Sequence, residues 1–105
     1  MSVDYIELKK SPIRGKKWEA KLFNKEGKKL KTVHFGQSGA EDFTIHKDEE
    51  RKQRYIDRHK KREDWTKSGI DTPGFFSRWL TWNKESISGS IADIESRFNV
   101  DIRRV

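Results

Sequence analysis

The sequence predicts an α+β fold, a small antiparallel β-sheet (an N-terminal strand plus a hairpin) packed against about three α-helices. Residues 1–105 are expected to form a single small basic domain. Three observations predict it. Alternating side chains flank a turn at Asn24-Lys25-Glu26-Gly27, the pattern of a hairpin. Helix caps and apolar residues at helical spacing follow in the second half. Four Trp, six Phe and two Tyr supply a core, although a composition 31% hydrophobic and 39% charged otherwise borders on disorder.

Val3–Leu8 reads as a short strand ended by Ser11-Pro12. Lys17–Phe23 and Lys28–Phe35 are the hairpin strands, joined by a type I turn with Gly27 left-handed in a G1 bulge. That register sets Asn24 opposite Lys28, Leu22 opposite Leu30, Ala20 opposite Thr32 and Trp18 opposite His34. One face then carries Trp18, Ala20, Leu22, Leu30, Thr32 and His34, and the other Glu19, Lys21, Phe23, Lys29, Lys31, Val33 and Phe35. The alternative register puts Lys29 and Lys31 beside Ala20 and Leu22, and burying lysine is costly.

A loop at Gly36–Asp42, anchored by Phe43, leads to a helix over about Asp48–Arg62, with Asp48 or Thr44 as cap. Its apolar stripe is only Tyr55 and Ile56, with His59 one turn beyond. Thr72-Pro73 is the N-cap and first residue of a second helix, whose Phe75, Phe76, Trp79, Leu80 and Trp82 are expected in the core. A third helix, from Ser86 or Ser88, aligns Ile87, Ile91, Ile94 and Phe98 and ends at Asn99. Val100–Arg103 has the pattern of a last short strand.

With no cysteine, the chain makes no disulfide and has no thiol chemistry. No apolar run approaches the ~18 residues of a membrane span, so no membrane partner is expected. Met1-Ser2-Val3-Asp4-Tyr5 lacks a signal-peptide core, so an intracellular location is expected rather than secretion. The net charge of +7 is localised. Residues 1–31 hold ten bases and four acids, while residues 32–105 hold fourteen and thirteen.

A basic face of this kind suits a polyanion. The candidate nucleic-acid-binding residues are Lys16, Lys17, Lys21, Lys28, Lys29 and Lys31 of the hairpin, with Arg51, Arg54, Arg58, Lys61 and Arg62 on the helix. Lys21, Phe23, Lys29, Lys31 and Phe35 on one hairpin face would join phosphate contacts to base stacking. The helix bases could instead pair with Glu50, Asp57, Glu63 or Asp64 as a solvated face. Nucleic acid is the expected partner, DNA ahead of RNA.

His34, His46 and His59, with Asp42 and Asp48 nearby in sequence, are the ingredients of a candidate metal site. They lack the close pair, such as i, i+4, that such sites use. They read instead as structural: His34 packed on Trp18, His46 at a helix start, His59 on Tyr55. No cofactor, metal or catalytic residue is expected, and a metal-dependent nuclease ranks third. The second reading is an assembly protein acting through the Phe75–Trp82 helix, by self-association or by binding another protein.

Two stretches carry a resemblance. One runs through Thr32-Val33-His34-Phe35-Gly36, Gly39, Asp42-Phe43-Thr44, His46-Lys47-Asp48, Arg51, Tyr55 and Arg58-His59. The other comprises Ser77-Arg78-Trp79-Leu80, Trp82-Asn83-Lys84, Ser90-Ile91 and Arg97-Phe98. Together they resemble a family of short, functionally uncharacterised proteins encoded by large double-stranded DNA viruses of eukaryotes, over about residues 17–98. The resemblance implies a viral source, a single small domain and a place at the viral replication site or in the virion. It brings no activity and no site residues.

Overall fold

The structure, a computed structural model, describes residues 2–105. Strands β1 (Tyr5–Lys10), β2 (Lys16–Phe23) and β3 (Lys29–Gln37) form an antiparallel meander. A short β4 (Asp101–Arg104) then joins the free side of β1, giving the order β3-β2-β1-β4. The fold class is α+β as expected, but β4 runs parallel to β1, so the sheet is mixed rather than purely antiparallel. Connectivity causes this. All the helices lie between β3 and β4, and this long crossover returns the chain alongside β1 in its own direction.

The hairpin turn forms as expected: the Asn24 N–H donates to the Lys28 carbonyl at 3.0 Å and Gly27 has φ +80°. Beyond it the register differs. Phe23 pairs with Lys29 but Leu22 pairs with Lys31, so Leu30 is skipped in a bulge. Every later pair shifts by one: Ala20 faces Val33, Glu19 faces His34 and Trp18 faces Phe35. Val33 and Phe35, not Thr32 and His34, therefore share the core face with Ala20 and Leu22. The gain is burial of a valine and a phenylalanine in place of a threonine and a histidine. The lysine penalty that argued against this arrangement is avoided, because Lys31 reaches the sheet edge and its Nζ donates to the Asp71 carbonyl at 2.8 Å.

The helices of residues 73–98 pack on the core face. Helix α1 (Phe43–His46) is a single turn capped by Asp42, and α2 (Glu49–His59) is capped by Asp48. Helix α2 stops short of the expected Arg62, since nothing apolar follows Ile56 to dock another turn. Helix α3 (Pro73–Phe76) starts at the Thr72 cap and continues as a π-helical turn over Ser77–Thr81. This wider turn keeps Phe75, Phe76 and Leu80 fully buried and Trp79 half-buried against the core as expected, but leaves Trp82 half-buried apart from it, stacked on Tyr55. Helix α4 (Ile87–Phe98) is capped by Ser86 and ended by Asn99 in the left-handed conformation. Ile6, Leu8, Leu22, Val33, Phe35 and Ile102 of the sheet meet Phe75, Phe76, Leu80 and Ile94 in one core. Phe76 stacks on Phe35 with ring centroids 5.3 Å apart.

Candidate nucleic-acid interface

Helices α3 and α4 cover one side of the sheet, and strand alternation sends a second set of residues to the other. These are Tyr5, Glu7 and Lys9 of β1, Glu19, Lys21 and Phe23 of β2, Lys29, Thr32 and His34 of β3, and Asp101 and Arg103 of β4. Most are half-buried or exposed. Cross-strand neighbours Tyr5 and Phe23 stack at 4.7 Å with their rings 6° from parallel. The Arg103 guanidinium lies 3.9 Å over the Tyr5 ring and is held by Asp101 at 2.8 Å.

Glu19 sits in the middle of this face and is only 5% exposed. Its Oε2 is 3.8 Å from Lys9 Nζ and 3.9 Å from Lys21 Nζ, and its Oε1 is 3.9 Å from His34 Nε2. No hydrogen bond reaches Oε2. The Ser11 hydroxyl accepts from the Ile13 N–H at 3.0 Å and lies 2.8 Å from His34 Nδ1. His34 thus belongs to this polar cluster and does not pack on Trp18 as the sequence suggested. At 3.9 Å the His34–Glu19 contact is too long for the hydrogen bond that a nucleophile–base–acid relay needs.

The structure divides the predicted lysines. Lys21 and Lys29 share the open face with Phe23, whereas Lys31 lies at the sheet edge beside Asp71 and Phe35 is 1% exposed in the core. The shifted register removes both from the expected face. Lys28 lies at the exposed hairpin tip and Lys16 at the far end of β2. Lys17 is committed to Asp42 at 2.8 Å, with both side chains largely buried. Sequence reasoning missed Tyr5, Lys9 and Arg103. The alternation of Tyr5, Glu7 and Lys9 was visible, but their pairing with β2 and β4 was not.

On α2, Arg51, Arg54 and Arg58 line a groove of about 500 Å³ with Ala40, Glu41, Asp57 and Trp82. Arg51 bonds Glu41 at 2.7 Å. Bonding to the Arg51 guanidinium, followed by its charge, holds the Glu41 carboxyl below its ordinary range. Lys61 and Arg62 lie past the helix end and are exposed. In the loop after β3 the Ser38 and Ala40 N–H groups donate to the Gly15 and Gln37 carbonyls.

The other histidines take structural roles. His46 Nδ1 accepts from the Asp48 N–H at 2.9 Å, and His59 stacks on Tyr55 at 4.4 Å. Among the described residues no three His, Cys, Asp or Glu side chains gather as a metal ion requires. No helix among them is long and apolar enough to cross a membrane.

A family model described as "Family of unknown function (DUF5754)" matches residues 6–59, from β1 through α2. No curated protein and no solved structure matches the chain.

Proposed function

The chain belongs to the DUF5754 family of unknown function, and on that premise we propose that it is a non-catalytic nucleic-acid-binding protein whose open sheet face lies against a single strand. The observation that carries this reading is the one-sided sheet. Its helix-free face joins a stacked aromatic pair, Tyr5 and Phe23, to Lys9, Lys21, Lys29 and Arg103. Lysines there meet phosphates, while the half-buried Phe23 ring offers its edge to unpaired bases beside a Tyr5 ring already held by Phe23 and Arg103. Glu19 offsets part of the charge of Lys9 and Lys21, so its neighbours hold the lysine heads near the sheet rather than free in solvent.

The assembly reading draws less support. Phe75, Phe76 and Leu80 are buried in this chain's own core, and the exposed large apolar side chains, Ile13, Ile45 and Val105, belong to three separate segments.

Fluorescence anisotropy with a labelled deoxythymidine oligomer tests the proposal. The Lys21→Glu/Lys29→Glu variant is expected to bind at least tenfold more weakly, since each reversal replaces attraction by repulsion. Phe23→Ala should weaken binding by a further factor, because stacking contributes about 1–3 kcal/mol per base. Unchanged affinity in the lysine variant would sink the sheet-face site. Running a matching RNA oligomer in parallel decides between DNA and RNA.

A further inference from the structure

We propose that the groove between α2 and the β3–α1 loop is a second site, one that holds the phosphate of a nucleotide. Arg51, Arg54 and Arg58 stand at i, i+3 and i+7, so one helix face presents three guanidinium groups. The fold turns that face onto a groove of about 500 Å³ that Trp82 also lines. That size is within the range of small-molecule pockets.

Trp82 stacks on Tyr55 at 4.6 Å, 2° from parallel, and His46 abuts it at 5.2 Å. One of the groove's two carboxylates is engaged outside it and the other by the groove's own Arg51. Asp57 is 3.5 Å from Lys60 and accepts from Gln53, and Glu41 bonds Arg51. Arg54 and Arg58 are in no ion pair among the described residues and supply the groove's uncompensated charge.

Guanidinium groups bind phosphate through paired, parallel N–H bonds. A flat apolar ring beside them fits a ligand with a ring next to its phosphate. Glu41 acts as an internal competitor. Its pair with Arg51 is exposed and weak, so a phosphate dianion displaces it and recruits the third arginine.

The phosphate could arrive on a free nucleotide or on the 5′ end of a strand, and calorimetry distinguishes them. The probes are adenosine 5′-monophosphate, adenosine, and a short oligodeoxynucleotide with and without a 5′-phosphate. Adenosine 5′-monophosphate should bind at least tenfold tighter than adenosine. Arg54→Ala/Arg58→Ala should weaken it tenfold or more, and Glu41→Gln should tighten it severalfold by freeing Arg51. Tighter binding of the 5′-phosphorylated oligomer than of the same oligomer without the phosphate assigns the site to strand ends, and equal affinity of the two assigns it to free nucleotides. The site is independent of the sheet face, so Lys21→Glu/Lys29→Glu should leave the mononucleotide affinity unchanged. No saturable binding, equal binding of nucleotide and nucleoside, or full affinity in the arginine variant would overturn the proposal.

Discussion

Asp42 joins two elements that lie far apart in sequence. One carboxylate oxygen caps α1 through the Thr44 N–H at 3.0 Å and the other takes Lys17 of β2 at 2.8 Å. Asp42→Ala removes the cap and strands a largely buried ammonium. A loss of about 2–4 kcal/mol is expected in urea unfolding, and a loss near zero would show that the pair is incidental. Gly69 is constrained differently: a Cβ there would lie 2.0 Å from the Asp64 carbonyl oxygen, so Gly69→Ala must push backbone apart. The expected cost is about 1–3 kcal/mol. His59 gives a pH dependence. Burial first, and then the charges of Arg62 and Arg58, hold its imidazole below the ordinary value. The unfolded chain therefore takes up the proton before the folded one does. Stability is unaffected by this group above about pH 6.5 and falls as pH drops below it. Comparing urea midpoints of the wild type and His59→Gln across that range should show a flatter acid decline in the variant.

At the scale of elements, what was legible depended on local chemistry. Asp48, Thr72 and Ser86 each accept backbone N–H bonds at a helix start, and Asn99 ends α4. Such signals sit within four residues of the end they mark. The Asn24–Gly27 turn was legible for the same reason. The strand pairing beyond it was not. The bulge at Leu30 is set by what Val33 and Phe35 gain against Phe76 and its neighbours, about forty residues away in the chain. Helix α1 was missed because the Lys17–Asp42 pair holds a turn too short to announce itself. The register makes Phe76 central: it contacts both Phe35 and Phe75. Phe76→Ala should cost about 3–5 kcal/mol, a large part of what a domain this small possesses, and a melting temperature close to wild type would contradict the packing described.

For the whole molecule, the charge count pointed to the hairpin but not to its faces. Lys21, Phe23 and Lys29 of the predicted face remain together, while Lys31 and Phe35 leave it. Tyr5 and Arg103 join from strands at the two ends of the chain, a juxtaposition that only the parallel β4 creates. If the open face meets phosphates, affinity for single strands should fall with salt, and each lysine removed from it should flatten the log–log slope by about 0.7. The most direct test is an amide chemical-shift map of the ¹⁵N-labelled protein titrated with a single-stranded oligonucleotide lacking a 5′-phosphate. The account predicts that shifts concentrate on Tyr5, Lys9, Lys21, Phe23, Lys29 and Arg103. Shifts confined to the helical side, with those six residues unmoved at saturation, would contradict it.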